Sequence, residues 1–247
     1  KDKKLAGEKL YKAAIAHNLK HAPAAPTPPA KPADVLSAKD YKALQDYARK
    51  NAPAKGNVKK AKVVIYEFTD LQCPFCNRVV PTIDQIKDEY GDKVAIVSIA
   101  KPLPFHKEAP AASQAALAAG KQGKFWEMHD KLFENFRNFK ANAADMKGYT
   151  AGLAGQIGLD VEQFKKDFDN PEFDKMIKAD QALGSKIGVR GTPHFFINGV
   201  RMSGAQPLPK FEEVVKAQLA EAKKNGGKDV YKNAVAKNYK AAEPPQA

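Results

Sequence analysis

Residues 63–76 read Val-Val-Ile-Tyr-Glu-Phe-Thr-Asp-Leu-Gln-Cys-Pro-Phe-Cys, and this stretch indicates both the fold and the chemistry of the chain. Its first half is rich in β-branched and aromatic residues, which predicts a buried strand over 62–69. Its second half holds Cys73 and Cys76, the only two cysteines of the 247 residues, where a helix over 74–90 is expected to begin. A Cys-x-x-Cys pair at a strand-to-helix junction is typical of thiol–disulfide exchange.

The spacing of the two cysteines gives each sulfur a different task. Residues three positions apart in the first turn lie on one helix face, so the two sulfurs come within bonding range. Cys73 lies at the helix N-terminus, where unpaired backbone N–H groups and the helix dipole lower the pKa of its thiol. Cys76 lies about one turn deeper and is placed to resolve a mixed disulfide made by Cys73.

A cysteine pair can also form a structural disulfide or bind zinc. A structural disulfide between residues three apart closes a very small loop, so it stabilises the fold little. A zinc site needs about four ligands, and the sequence offers no second Cys-x-x-Cys or nearby His pair to complete one. The sequence therefore favours redox chemistry at Cys73 and Cys76.

The composition predicts a sizeable core, since 43% of the residues are hydrophobic and 13 are Phe. The net charge of +13 belongs to the flanks, because residues 63–222 hold 20 basic and 21 acidic side chains. Lysine-rich flanks with few interleaved aromatic residues are typical of solvated segments, so we expect no nucleic-acid partner. No apolar run reaches the roughly 18 residues of a membrane span. A chain that begins at Lys1 without a visible leader is expected to be processed or cut from a longer protein.

The remaining pattern gives the order strand, helix, strand, helical block, strand, strand, helix. Further strands are predicted over 94–100, 194–198 and 200–203, with Asn198-Gly199 as a hairpin turn. A helical stretch over 106–187 is broken at Gly120–Gly123, near Gly148 and at Gly158, and a helix over 207–224 follows the hairpin. This order is that of an α/β protein with a thioredoxin fold and an inserted helical subdomain.

The domain division follows from these elements. Residues 61–104 and 188–224 are predicted to form the thioredoxin core, and 105–187 the helical insertion. Residues 1–60 are predicted to form an extension that contains a helix over 8–20, a Pro/Ala-rich linker over 22–33 and a second helix over 38–50. Residues 225–247 are predicted to form a basic C-terminal helix or linker.

The two ends of the chain resemble each other. Tyr11–Lys20 matches Tyr231–Lys240 at an offset of 220 residues, and each segment runs on into Ala/Pro-rich sequence. One hypothesis is that the chain comes from a protein with tandem modules, in which 225–247 begins a second module. Chance similarity between two Lys/Ala-rich segments is the alternative.

Three blocks of residues carry a resemblance to a known family. They are Glu67-Phe68-Thr69-Asp70-Leu71-Gln72-Cys73-Pro74-Phe75-Cys76, Lys101-Pro102-Leu103-Pro104-Phe105-His106 and Gly188-Val189-Arg190-Gly191-Thr192-Pro193-His194-Phe195-Phe196-Ile197-Asn198-Gly199. Over residues 62–222 the chain resembles the DsbA-like family of extracytoplasmic thiol–disulfide oxidoreductases. The resemblance covers neither residues 1–60 nor the C-terminal tail.

The resemblance implies catalytic roles for three residues. Cys73 matches the family's nucleophile and Cys76 its resolving thiol, while Glu67 matches a buried acid that helps to move the proton of the resolving thiol. Burial would raise the pKa of Glu67 toward neutrality. The alternative is an exposed carboxylate at a strand end. No cofactor is implied beyond a redox-active Cys73–Cys76 disulfide.

The resemblance also implies a surface that binds the client protein. Pro193 matches the family's cis-proline opposite the active site, and an ordinary trans-proline before an edge strand is the alternative. Thr192 precedes it, with a hydroxyl that could hydrogen-bond a cysteine sulfur. Pro74 and Phe75 complete the expected client-binding residues. Since the Pro-Phe dipeptide supplies no titratable side chain, we expect a less oxidising pair than in members with Pro-His.

Structural roles are expected for the other polar and aromatic residues of interest. His194 is expected to pack beside Phe195 and His106 to cap the insertion, while Asp70 and Gln72 are expected only to shape the loop. Helical spacing predicts an insertion core that contains Phe125, Trp126, Phe133 and Phe136.

These observations predict an extracytoplasmic enzyme, periplasmic by its resemblance, that oxidises or isomerises disulfides in client proteins. A protein-thiol reductase is the alternative within enzymes, and a Cu(I)-binding module is the alternative outside them. The resemblance implies a membrane redox partner that recycles the cysteine pair. Isomerases act best with two or more sites held together, so a homo-oligomer formed through the N-terminal helices is left open.

Overall fold

The structure, a computed structural model, describes residues 35–224. A five-stranded sheet has the order β1-β3-β2-β4-β5. The strands are β1 (Ala54–Lys55), β2 (Val63–Thr69), β3 (Val94–Ala100), β4 (His194–Ile197) and β5 (Val200–Ser203). The helices are α1 (Ala38–Asn51), α2 (Pro74–Tyr90), α3 (Ala109–Lys121), α4 (Phe125–Asn135), α5 (Met146–Gln156), α6 (Val161–Phe168), α7 (Pro171–Lys186) and α8 (Leu208–Lys224). The α/β thioredoxin fold with an inserted helical block is confirmed, because α3–α7 lie between β3 and β4.

The centre of the sheet is β2, which pairs in parallel with β3 and antiparallel with β4. The β4–β5 hairpin turns at Asn198-Gly199, where φ is 47° and 86°, as the sequence predicts. The Asn198 side chain accepts from Val64 N at 2.9 Å and donates to Lys62 O at 3.0 Å. These bonds attach the hairpin to the beginning of β2, so the opposite end of β2 leads into the cysteine loop.

The two faces of β2 pack against different helices. Val64, Tyr66 and Phe68 are buried with α1 on one face. Val63 and Ile65 are buried with α2 and α8 on the other face. Successive strand residues alternate between faces, so Glu67 and Thr69 also lie on the α2 side.

The helix predicted over 38–50 corresponds to α1, which packs onto the sheet. Ser37 caps its N-terminus by accepting from Asp40 N at 3.1 Å. Tyr41, Leu44 and Ala48 are buried, and the Tyr41 ring meets the Tyr66 ring edge-on with 6.0 Å between centroids. The apolar face of this helix is therefore covered by the sheet of the same chain, so that face is not available as an oligomer interface. The predicted helix over 8–20, the Pro/Ala-rich linker and residues 225–247 lie outside the described residues.

The predicted breaks in the helical block are right at two of the three places. The chain leaves the helical path at 122–124 and at 157–160, beside Gly123 and Gly158. The break expected near Gly148 is wrong, because Gly148 lies inside α5 and donates from its N–H to the capping Asp145 carboxylate at 2.7 Å. The interruption instead lies over 136–145, where the backbone forms 3₁₀ turns. Asn170, which caps α7 ahead of Pro171, marks a further break that the glycines do not signal.

The aromatic residues of α4 divide between two cores. Phe133 is buried in the core of the insertion, with Phe125 and Phe136 packed at its margin, as expected. The expectation is wrong for Trp126, which packs against the cluster between the sheet and α2. Lys55 Nζ lies 5.0 Å from the centroid of the Trp126 ring. Helical spacing cannot distinguish these two cores because α4 contacts both. Among residues 35–224 no helix combines the length and the apolarity needed to cross a membrane.

Candidate active site

Cys73 occupies the N-cap position of α2, at the end of a short loop that follows β2. Its backbone is extended (φ −81°, ψ 121°), its N–H donates to Asp70 O at 2.9 Å, and Pro74 takes the first helical position. Cys76 lies in the first turn, where its sulfur accepts from Asp70 N at 3.5 Å. Both cysteines are free thiols, with 3% and 0% of their surface exposed. The strand, the loop and the helix thus bring both sulfurs to one place, as the spacing predicts.

The two thiols have opposite acidities. A hydrogen bond from the Cys76 thiol is the main cause that lowers the pKa of Cys73 to about 6, and the N–H groups of Cys76 and Phe75 add to it. Burial raises the pKa of Cys76 well above its usual value, and the nearby Cys73 sulfur raises it further. At neutral pH Cys73 is therefore a thiolate and Cys76 a thiol. This is the division of acidity that an attacking and a resolving cysteine need.

Thr192 and Pro193 lie against the Cys73 sulfur. The Thr192–Pro193 peptide bond is cis, so that prediction is confirmed. In its protonated form the Cys73 thiol donates to the Thr192 carbonyl oxygen over 3.6 Å. The Thr192 hydroxyl forms no hydrogen bond of normal geometry among the described residues, yet it lies close enough to the Cys73 sulfur to lower the pKa of that thiol, as expected. Thr192 thus faces the sulfur with both its backbone and its side chain.

Asp70 is the main support of the cysteine loop. Its carboxylate is fully buried and accepts from Gln72 N at 2.8 Å and from Leu103 N at 2.7 Å. It also meets His106 Nδ1 at 2.8 Å, so His106 contacts this loop rather than only capping the insertion. Asp70 therefore does shape the loop, as expected, and it joins that loop to the segment 101–108.

Gln72 makes a second connection between these two segments. Its Nε2 donates to the Glu108 carboxylate at 2.6 Å, and Glu108 N donates to its Oε1 at 3.1 Å. The two joined segments carry Phe75, which is 51% exposed, and Phe105, which is 71% exposed. These are the only large apolar side chains among residues 35–224 that are so exposed. The loops therefore present apolar rings to solvent beside a nearly buried sulfur.

We expect Asp70→Ala to lower the free energy of unfolding by about 2–4 kcal/mol, because two buried N–H groups and His106 would lose their acceptor. Urea unfolding followed by circular dichroism measures the change. Asp88→Ala, which removes an exposed carboxylate on α2, is the matched control and should leave stability within about 0.5 kcal/mol. Equal stabilities for the two variants would contradict the assigned role of Asp70.

Glu67 is buried on the α2 side of the sheet. It lies opposite Ser98 of β3 and Phe195 of β4, and only 2% of its surface is exposed. Burial is the main cause that raises its pKa to about 8, and the carboxylates of Asp84 and Asp130 raise it further while Lys55 opposes them. The expected burial is confirmed, and the alternative of an exposed strand-end carboxylate is wrong. Glu67 is therefore mostly protonated at neutral pH.

His194 lies on the other face of the sheet. Its register partner on β2 is Phe68, and its ring packs on Phe196 rather than beside Phe195 as expected. Its Nε2 meets Arg201 Nη1 at 2.9 Å and its Nδ1 meets the Ser203 hydroxyl at 3.1 Å. Burial lowers its pKa to about 4. His194 is therefore a neutral structural residue outside the thiol site.

Three polar residues near the site were missed by sequence reasoning. They are Lys55, Thr69 and His129. Lys55 belongs to a strand of two residues, which carries no periodic signal, and Thr69 reads as an ordinary strand residue. His129 reads as one more ring in an aromatic helix. No group of three or more His, Cys, Asp or Glu side chains within 35–224 is placed to hold a metal ion.

Comparison with known proteins agrees with this site. The family model described as Thioredoxin matches residues 49–217, which include β2, both cysteines and the β4–β5 hairpin. The chain belongs to this thioredoxin family.

Two solved structures show the likeness in detail. The catalytic domain of ScsC from Proteus mirabilis is 28% identical, with 74% of this chain and 99% of that domain covered and a TM-score of 0.58. The alpha-DsbA1 protein of Wolbachia pipientis is 22% identical, with 70% of this chain and 92% of that protein covered and a TM-score of 0.62, and it supports the fold alone.

Curated relatives include much longer proteins. The Na(+)/H(+) antiporter NhaA of Herminiimonas arsenicoxydans is 30% identical over 157 residues, which are 64% of this chain. The chain spans 24% of the length of that protein. The matched stretch is thus a domain-sized part of that protein.

Proposed function

We propose that this chain is an extracytoplasmic thiol–disulfide oxidoreductase that acts as an oxidase or isomerase on client proteins. The observation that carries the proposal is the division of acidity between Cys73 and Cys76 at the N-terminus of α2. A stabilised thiolate is a good leaving group, and a buried neighbouring thiol completes the exchange. The extracytoplasmic, periplasmic location is taken from the likeness to DsbA-like proteins.

In the oxidising direction the Cys73–Cys76 disulfide accepts two electrons from the client. A client thiolate attacks the Cys73 sulfur, which forms a mixed disulfide and releases the Cys76 sulfur as a thiolate that takes up a proton. A second client thiolate attacks the client sulfur of the mixed disulfide and releases Cys73 as a thiolate. The client gains one disulfide and the protein holds two reduced cysteines. The pair itself carries the electrons, so no cofactor is needed.

In the isomerising direction the reduced protein acts first. The Cys73 thiolate attacks a client disulfide and forms a mixed disulfide, and a client thiolate is released. A different client thiolate then displaces Cys73, so the client disulfide is rearranged without net oxidation. If no client thiol arrives, Cys76 attacks Cys73 and releases a reduced client. Cys76 thus prevents a trapped mixed disulfide.

The client binds across Thr192, Pro193, Pro74 and Phe75 in this proposal. Pro193 has no N–H, and an extended client segment would lie beside the backbone of Thr192 as an added strand. Pro74 and Phe75 are exposed at the beginning of α2, and the Arg78 guanidinium lies 4.8 Å from the Phe75 ring centroid. A membrane redox partner would restore the disulfide after each oxidation.

The equilibrium reduction potential of the pair separates these activities from a reductase. The Cys73 pKa of about 6 lies between the values of roughly 7 in thioredoxin and 3.5 in DsbA. A lower pKa stabilises the reduced form, so we expect a potential between about −270 and −120 mV. Equilibration in glutathione buffers, followed by alkylation of free thiols and mass measurement, gives the value.

Phe75→His is the informative variant in this titration. An imidazolium beside Cys73 would stabilise the thiolate, so the potential should become more positive, while Phe75→Leu should leave it close to wild type. A wild-type potential at or below that of thioredoxin would overturn the oxidase or isomerase assignment and favour a reductase.

A further inference from the structure

His129 is a buried imidazole whose two nitrogens have different surroundings. Only 3% of its surface is exposed. Nδ1 meets the Asp130 carboxylate at 2.8 Å, and since a carboxylate only accepts, Nδ1 carries the proton in the neutral ring. Nε2 is therefore the basic nitrogen, and it is buried without a hydrogen-bond partner among the described residues. A buried basic nitrogen without a partner is costly, which points to a task.

His129 lines two cavities beside the sheet. The first is lined by His129, Thr69, Leu71 and Asp180, among others, and is large enough for a water molecule. The second is smaller and is lined by His129, Glu67, Lys55 and Asp84, among others. One imidazole thus borders both Thr69 and Glu67.

Thr69 connects the first cavity to the resolving thiol. Like His129 Nε2, its hydroxyl oxygen is buried and has no hydrogen bond of normal geometry among the described residues. It nevertheless lies close enough to Cys76 to lower the pKa of that thiol. Thr69 and Glu67 are two residues apart on β2, so both face α2, which carries Cys76. The resolving thiol, Thr69, His129 and Glu67 therefore belong to one polar region between the sheet and the helices.

Asp130 connects this region to solvent. Its side chain is 42% exposed, whereas that of His129 is 4% exposed. The other charged groups that face His129 or line its cavities are Glu67 on β2, Lys55 on β1, Asp84 on α2 and Asp180 on α7. Lys55 and Asp84 are paired with each other at 2.9 Å, and Asp180 accepts from Ala100 N at 2.8 Å. Asp130 is thus the exposed acceptor in direct contact with the buried ring.

We propose that His129 is a positioning residue that passes the proton of Cys76 between the buried Glu67–Thr69 region and the exposed Asp130. This inference rests on the function proposed above. When Cys76 attacks Cys73, its proton moves by way of Thr69 and a cavity water to Nε2, and the Nδ1 proton moves to Asp130 and to solvent. When the disulfide is reduced, Cys76 regains a proton along the reverse path. Each cycle of oxidation and reduction moves one proton outward and one inward, so the His129 ring returns to the tautomer with the proton on Nδ1.

Ellman's reagent separates this step from the attack by Cys73. The Cys73 thiolate attacks the reagent and releases one thionitrobenzoate, and Cys76 then resolves the mixed disulfide and releases a second. Stopped-flow absorbance between pH 5 and 9 therefore reports the two steps as two phases. Asp130→Asn keeps an acceptor for Nδ1. In this variant we expect the rate constant of the second phase to fall about tenfold at pH 7 and to increase in proportion to the hydroxide concentration as the pH is raised. The first phase should be unchanged.

His129→Gln should show the same slowing, and the double variant should be no slower than either single one. Phe133→Leu, which disturbs a ring packed edge-on against His129, is the packing control and should keep the wild-type pH profile. The proton path would be overturned if the second phase of Asp130→Asn had the wild-type rate constant. It would also be overturned if the variants lost stability but kept the wild-type pH dependence of that rate constant. Absence of the first phase in the wild-type protein would instead refute the proposed function.

Discussion

Cys73→Ser is expected to abolish exchange with client proteins, with a loss of more than about a thousandfold in the rate of disulfide rearrangement. A serine hydroxyl is not ionised at neutral pH and forms no disulfide, so neither the attack nor the mixed disulfide is available. The measurement is the recovery of native disulfides in a substrate whose disulfides have been scrambled. A Cys73→Ser protein that still restored them would eliminate the proposed enzyme.

Cys76→Ser is the matched variant because it keeps Cys73 and removes only the resolving thiol. The Cys73 thiolate should still attack, so a covalent adduct with the client should accumulate and be visible on non-reducing gels. The Cys76 thiol also donates the hydrogen bond that contributes most to the low pKa of Cys73. Because a serine hydroxyl at position 76 still donates, Cys76→Ala tests this bond, and alkylation across a pH series should show the pKa of Cys73 higher in Cys76→Ala than in the wild type. Failure to trap a client would contradict the assigned order of the two sulfurs.

Glu67→Gln is expected to change the pH dependence of stability more than any other single substitution of a carboxylate in the described part of the chain. Burial raises the pKa of Glu67 from 4.5 in the unfolded chain to about 8 in the fold. Between these two pH values Glu67 ionises in the unfolded chain but stays protonated in the fold, so ionisation lowers the free energy of the unfolded state alone. The wild type therefore loses stability as pH rises from about 4.5 to about 8.

Glutamine does not ionise, so this loss should disappear in the variant. Each pKa unit corresponds to about 1.4 kcal/mol. The free energy of unfolding of Glu67→Gln should therefore be about 3 kcal/mol higher than that of the wild type at pH 7 and close to it at pH 4. Urea unfolding at pH 4, 5.5, 7 and 8.5 tests the trend. Glu127→Gln, at an exposed position of α4, should follow the wild-type curve. Parallel curves for wild type and Glu67→Gln would show that Glu67 ionises freely in the fold.

The elements that carry the thiols could be predicted because their signals are local. The β-branched run of β2, the Cys-Pro-Phe-Cys motif and the Asn-Gly turn each depend on a few adjacent residues. The burial of Glu67 followed from its place in an apolar strand that leads to the active-site helix. The cis bond at Pro193 was expected from the family resemblance and not from the composition or spacing of the residues around it.

The features that could not be predicted depend on contacts between distant residues. Asp70 reads as a loop residue, yet two of its partners, Leu103 and His106, lie 33 and 36 positions away. The surroundings of His129 come from β1, β2, α2 and α7, and no periodic pattern in α4 announces them. Lys55 is similar, because a strand as short as β1 exists only through its pairing with Val97 and Ile96.

The position of residues 35 and 36 beside the β4–β5 hairpin has a practical consequence. Val35 forms a bridge with Val200, and Leu36 N donates to Gly199 O at 2.9 Å, so residue 35 sits beside the hairpin turn. That turn is fastened to the beginning of β2, whereas the sulfurs follow its far end, roughly 20 Å away at about 3.3 Å per residue. A label, a surface linker or a fusion partner joined directly to residue 35 would thus be attached at the end of β2 that is remote from the sulfurs.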